Sequence, residues 1–189
     1  SGKVDCIVDA GDLENSASAV VKFGSDGIVS LRDGVIPLNE IKEKSTINIC
    51  FVCSGNICRS AAAEYYLKNL LKKRLGTDDL LSYGYNIFSC GTFQLDGNSC
   101  PAEIVSIMRN EGIDVTQHLS QSCTAELLDT ADIIYAMDMS HVGFIQSLSE
   151  EATDKTRLLS KEDEVDDPFQ RGMETYTRVL KQISKSVME

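Results

Sequence analysis

The sequence predicts an α/β protein: a four-stranded parallel sheet with helices on both faces, a tight loop after its first strand, and a small N-terminal β-rich appendage. Three observations lead there. From Ile47 onward, short apolar runs alternate with segments whose apolar residues recur at helical spacing, the pattern of parallel strands joined by crossover helices. The stretch before it lacks that alternation and reads as short strands separated by Gly, Asp and Ser turns. With 189 residues, 42% of them hydrophobic, the chain buries one ordinary domain core and little more. The expected division is 1–44 for the appendage and 45–189 for the main domain.

In the appendage the strand candidates are CIVDAG, SAVVKF and GIVSLRDGVI. The main domain opens with INICFV, Ile47 to Val52, an apolar run suited to a strand covered on both faces. RSAAAEYYLKNLLKKRLG follows as a helix. Its Ala62, Tyr65, Tyr66, Leu70 and Leu71 recur at helical spacing, Lys68, Lys72 and Lys73 lie between them, and Gly76 supplies a stop. YNIFSCG, Tyr85 to Gly91, is the second strand, and PAEIVSIMRNEGI is a helix opened by Pro101 and closed by Gly112. A short helix in TAELLDTA leads to the third strand, DIIYAM, Asp132 to Met137. SHVGFIQSLSEE reads as one helix, TRLLS as a weak fourth strand, and METYTRVLKQISKSV as a last amphipathic helix.

Charge and cysteine usage narrow the function. A net charge of -11 argues against nucleic-acid or anionic-membrane partners, because both require a clustered basic patch. No apolar run is long enough to span a bilayer, and SGKVDCIVDAGDLENS lacks the features of a signal peptide. Seven cysteines, an odd number, favour reduced thiols in a reducing compartment over a complete disulfide framework. A cytoplasmic location is the expectation.

The chemistry concentrates in ICFVCSGNICRSAAAEYY, Ile49 to Tyr66. Cys50, Cys53 and Cys58 raise the question of zinc, but no second C-x2-C or H-x3-H pair completes a four-ligand site, and His118 and His141 stand alone. No metal and no cofactor is expected. A thiol oxidoreductase pair normally opens a helix, whereas the residues between Cys50 and Cys53 belong to the strand. Cys50 reads as a core residue. The remaining reading is an anion cradle, a phosphate-binding loop after the first strand. A tight loop between strand end and helix start directs backbone N–H groups inward and adds the helix dipole. Gly55 and Asn56 tolerate positive φ angles there, and Arg59 offers a planar fork for two anion oxygens. Cys53 would lie beneath the anion, its thiolate favoured by the same groups, with Ser60 as a hydroxyl donor. The loop set is Ser54, Gly55, Asn56, Ile57, Cys58, Arg59 and Ser60. Near the C-terminus, EVDDPFQ places Asp166 and Asp167 in a Pro-stiffened loop at the sheet's carboxyl edge, where a proton donor is needed; by itself an Asp-Pro turn is a common surface feature.

Taken together, VCSGNICRS after a strand and DDPF before the final helix resemble the low-molecular-weight protein tyrosine phosphatase family, from about Ile47 to the C-terminus. SCGT, EGIDVTQHLSQ and TADIIYAMD look like the family's intermediate segments in order. The resemblance implies a phosphorylated protein substrate, with Cys53 as nucleophile, Arg59 gripping the phosphoryl group and Asp167 as general acid. It also implies a substrate pocket walled by Ile57, Phe93 and Phe169, and a redox role for Cys58 as disulfide partner of Cys53, against the plainer reading that Cys58 packs. Two departures stand out: Ala61 where proline is frequent, and Gln170 in place of a second aromatic after Phe169. Phosphotyrosine is the expected substrate, since Ile57 stands where a phosphoarginine-specific branch carries threonine; the single Phe169 resembles that branch, which is the alternative. A thioredoxin-coupled arsenate reductase needs resolving cysteines after the third strand, and YAMDMSHVGFIQ has none. A non-catalytic phosphopeptide-binding module would not need nucleophile, arginine and acid together. Finally, Asp5 to Ile41 resembles the C-terminal end of the threonylcarbamoyl-AMP synthase domain, with Ser18, Ala19, Val20 and Val21 in place of its Ser-Thr-Val-Val element. It reads as a truncated fusion partner that packs against the main domain or mediates assembly, or equally as part of a longer domain cut at the start of this sequence.

Overall fold

The computed structural model describes residues 17–24 and 27–189. Contacts divide the chain into two compact units, Ser1–Ser45 and Thr46–Glu189. In the first, β1 (Val20–Gly24) and β2 (Gly27–Arg32) pair antiparallel, and α1 (Leu38–Lys44) follows. The strand candidate CIVDAG lies outside the described residues. Helix α1 lies beyond the strand candidates of this segment, in residues to which the sequence pattern assigns no element. Pro37 sets an extended φ, ψ at its start, and Glu40 and Lys44 pair one turn apart, so local chemistry favours a helix.

The second unit runs β3 (Ile47–Cys53), α2 (Arg59–Leu75), a 3₁₀ turn (Leu81–Tyr83), β4 (Tyr85–Gly91), α3 (Ala102–Asn110) and α4 (Ala125–Asp129). It continues with β5 (Ile133–Ala136), α5 (Met139–Leu148), α6 (Glu150–Lys155), β6 (Thr156–Leu158) and α7 (Gly172–Met188). Its four strands form a parallel sheet in the order β4-β3-β5-β6. The expected helix over SHVGFIQSLSEE divides in two. Ser149 breaks it by taking extended angles, and its hydroxyl then accepts from the Ala152 N–H to start α6.

Alternation along β3 sorts the core into two clusters. Phe51 and Cys53 pack with Ala61, Ala62, Ile104, Met108, Tyr176, Leu180 and Ile183, from α2, α3 and α7. Cys50 and Val52 pack with Leu128, Ile145 and Ala152, from α4, α5 and α6. Helices therefore cover both faces. Ala61, Ala62 and Ala63 are fully buried, which brings the first turns of α2 close against the sheet. At the other end, Gly76 adopts the left-handed cap (φ 67°) that returns its N–H to the Lys72 carbonyl.

This topology locates the site. β3 has β4 on one side and β5 on the other: the crossover from β3 runs outward to β4, and the next returns past β3 to β5. A crevice opens there, at the carboxyl ends of the strands. Cys53, Gly91 and the residues after Ala136 and Leu158 all reach that edge.

Candidate active site

Cys53 ends β3 and Arg59 begins α2, so residues 54–58 span the short distance from sheet to helix. Asn56 provides the bend, with φ of 52°. Gly55 does not take a positive φ, contrary to expectation; a Cβ there would meet the Ile57 side chain at 3.5 Å, an ordinary contact. The left-handed position falls to Asn56 because its side chain anchors the loop from inside the protein.

Asn56 is fully buried. Its Nδ2 donates to Ser60 Oγ at 2.9 Å and to Ser89 Oγ at 2.7 Å, its Oδ1 accepts from Gln121 N at 2.9 Å, and its carbonyl lies 2.6 Å from His118 Nε2. Ser89 in turn donates to the buried Glu64 carboxylate, which Lys68 pairs. Because Ser60 Oγ accepts from Asn56, its single hydroxyl hydrogen is free to point at Cys53 Sγ, 3.0 Å away, rather than at the more distant Cys90 carbonyl. The loop thus delivers a hydroxyl donor to the sulfur.

Gly91, at the end of β4, closes the loop's underside. A Cβ there would lie 2.8 Å from the Ser54 carbonyl and 3.0 Å from Asn56, so only glycine admits this approach. The following amides bind back, Thr92 N to the Cys53 carbonyl and Phe93 N to the Ser54 carbonyl.

The Arg59 guanidinium is buried and held at both ends. Nη1 donates to Asp138 Oδ2 at 2.9 Å and to the Val165 carbonyl at 3.1 Å. Nη2 donates to Ser54 Oγ at 3.1 Å and lies 3.3 Å from Asp167 Oδ2. Partial burial raises the Asp138 pKa, but its hydrogen bond from Ser140, the contacts with His141 and the charge of Arg59 outweigh this and hold it below the usual carboxylate range. His141 is also buried. Burial foremost, with the charge of Arg59, brings its pKa down to about 4 against the pull of Asp138, so the ring is neutral near pH 7.

Asp167 sits in a turn where its Oδ1 accepts from the Phe169 N–H, leaving Oδ2 to face Arg59. Asp166 pairs instead with Arg178 on the surface of α7 at 2.7 Å, which lowers its pKa. Cys58 is buried beside Tyr176. Burial, then the neighbouring Cys53, pushes its thiol pKa up, while the Tyr176 hydroxyl bond opposes this. Cys53, Ser54, Gly55, Ile57, Cys58, Arg59, Phe93, Leu95, Asp167 and Phe169 line one pocket of about 120 Å³, on the scale of a single aromatic ring.

The structure therefore brings together Cys53, Arg59 and Asp167 with Ile57, Phe93 and Phe169, while Asn56 and Ser60 lie behind the loop. Sequence reasoning missed the roles of Ser89, His118, Gln121, Glu64, Asp138 and His141. Four of these lie within segments already quoted for the resemblance; nothing local marked Glu64 or His141.

Comparison with known proteins agrees with this architecture. The family model of the low molecular weight phosphotyrosine protein phosphatase matches residues 48–189. The chain belongs to that family. It is 28% identical over 145 residues to the low molecular weight protein-tyrosine-phosphatase Etp of Escherichia coli K12, covering 75% of this chain and 90% of Etp. It is 31% identical over 133 residues to a protein-arginine-phosphatase of Geobacillus stearothermophilus, covering 68% of this chain and 82% of that protein. Among solved structures, Vibrio vulnificus Wzb in complex with benzylphosphonate superposes with a TM-score of 0.67 at 25% identity, covering 76% of this chain and 95% of Wzb.

Proposed function

We propose that the chain hydrolyses phosphotyrosine in proteins through a phosphocysteine intermediate. The observation that carries this reading is the convergence of Cys53, Arg59 and Asp167 on one apolar-walled pocket. The Cys53 thiolate, hydrogen-bonded by Ser60, attacks phosphorus in line. As the sulfur–phosphorus bond forms, the phosphorus–oxygen bond to the tyrosine breaks, and Asp167 gives its proton to the departing phenolate oxygen. Water then attacks the phosphocysteine, transfers a proton to Asp167, and releases phosphate and the thiolate. Arg59 and the loop amides bear the charge on the equatorial oxygens throughout. The same reading makes Cys58 the partner of a reversible disulfide with Cys53 on oxidation by peroxide.

The pocket wall favours an aryl substrate over a guanidinium. Ile57, Phe93, Leu95 and Phe169 are apolar, and Asp167 is the one carboxylate among the lining residues, already opposite Arg59. The arginine-phosphatase alternative draws on the relative that bears that name and on the single aromatic after Pro168. Phosphate release from matched phosphotyrosine and phosphoarginine peptides decides between them. Tyrosine turnover that disappears in Cys53→Ser is the expected result; preferential release from phosphoarginine would reverse the specificity, and turnover surviving in Cys53→Ser would overturn the mechanism.

We further propose that Asp5 to Ile41 are the C-terminal end of a threonylcarbamoyl-AMP synthase domain, a reading that rests on the sequence resemblance. Residues 1–16 lie outside the described residues.

A further inference from the structure

Asp138 reaches Arg59 by two routes. Directly, its Oδ2 accepts from Nη1. Indirectly, its Oδ1 stands 2.9 Å from His141 Nδ1, in a contact bent away from hydrogen-bond alignment, and His141 Nε2 is 2.9 Å from Ser54 Oγ, which accepts from Arg59 Nη2. These contacts form a closed ring through one carboxylate, one imidazole, one hydroxyl and one guanidinium.

The proton inventory gives the ring a direction. A guanidinium only donates, so Ser54 Oγ is the acceptor toward Arg59. The hydroxyl keeps a second lone pair, so the direction is set at the far side of the imidazole: the Asp138 carboxylate 2.9 Å from Nδ1 favours the proton there, which leaves Nε2 bare to accept the Ser54 hydroxyl hydrogen. The opposite tautomer would set a lone pair 2.9 Å from a carboxylate oxygen. The charged groups acting on the ring are Asp138, Arg59, Asp167 and Glu164.

We propose that His141 is a positioning residue for the phosphatase reaction, acting through Ser54 to fix the second arm of Arg59. The inference rests on the phosphatase reading above. Nη2 carries two hydrogens; committing one to Ser54 aims the other across the pocket, on the side where Asp167 stands. Without the relay the guanidinium keeps its Asp138 and Val165 contacts at Nη1 but is free to turn about them. The effect falls on phosphoryl binding and transfer alike.

The amides of Gln and Asn separate this role from simple packing. A glutamine places its amide near the position of Nε2 and keeps a partner for Ser54; an asparagine reaches only the position of Nδ1. Inorganic phosphate affinity by titration calorimetry, together with kcat and KM, is to be measured on the full chain for wild type, His141→Gln, His141→Asn and His141→Leu. Glutamine is expected to stay within about threefold of wild type, and asparagine and leucine to lose about tenfold to a hundredfold in both phosphate affinity and kcat/KM. A long-range proton–nitrogen NMR spectrum of wild type is expected to show Nδ1–H and an unprotonated Nε2, a readout that survives even if a variant fails to fold. An Nε2–H tautomer, or equal behaviour of the Gln and Asn variants, would overturn the proposal. If the wild-type chain releases no phosphate from either peptide the phosphatase reading falls alone, since tautomer and phosphate affinity are read without turnover.

Discussion

Asn56 and Arg59 illustrate which parts of the site a sequence exposes. Cys53, Asn56, Arg59 and Ser60 lie within eight residues, and the demands of a strand-to-helix loop make their common location legible locally. The groups that hold them arrive from far along the chain: Ser89 and Gln121 to Asn56, Asp138 and the Val165 carbonyl to Arg59. Such pairings depend on sheet order, which local patterning does not determine. His141 shows the same limit and has a measurable signature. Its folded pKa of about 4 lies below the ordinary value of 6.5, so between those values the unfolded chain binds the proton more readily. Stability is therefore expected to fall as pH drops from 6.5 toward 4, by up to about 3 kcal/mol from this group. Urea unfolding across that range should show a shallower pH dependence in His141→Gln; an unchanged slope would mean that the buried imidazole is not the group responsible.

At the level of elements, strands and helices of the second unit follow the apolar periodicities, and the differences have local causes. Ser149 splits a helix because its hydroxyl captures a backbone N–H, and the apolar pattern continues across the break, so periodicity alone does not see it. The end of β4 is the most exacting position. Adding a methyl group at Gly91 meets the backbone of Ser54 and Asn56, neither of which can rotate away as a side chain would. Gly91→Ala is expected to destabilise the protein by about 1–3 kcal/mol by overpacking, and to reduce turnover more than a comparable loss of stability elsewhere, because the displaced backbone is that of the Cys53 loop. Thermal unfolding and kcat measured on the same preparation check this; normal kcat beside a lowered Tm would show that the loop absorbs the shift.

For the whole molecule, the two core clusters among the described residues consist of residues from Thr46–Glu189. A chain shortened to residues 46–189 is expected to keep both its melting temperature and its turnover. A marked loss of either would assign a structural role to the N-terminal segment. The net charge of -11 also bears on how substrate arrives, since a dianionic phosphoester approaches an acidic protein.

Arg59 sits between Asp138 and Asp167, so the charge that meets the phosphoryl group is largely offset before anything binds. An arginine enclosed in this way holds a free anion less tightly than an unpaired one would, so the inorganic product binds measurably without being trapped. Dissolved salt then works in an unusual direction for an enzyme of phosphoesters. By screening the repulsion between protein and substrate more than it weakens the sheltered grip of Arg59, it should raise kcat/KM for a phosphopeptide between low and physiological ionic strength. A salt series with an uncharged buffer tests this, and a fall in kcat/KM across it would show that capture, rather than repulsion, governs the encounter.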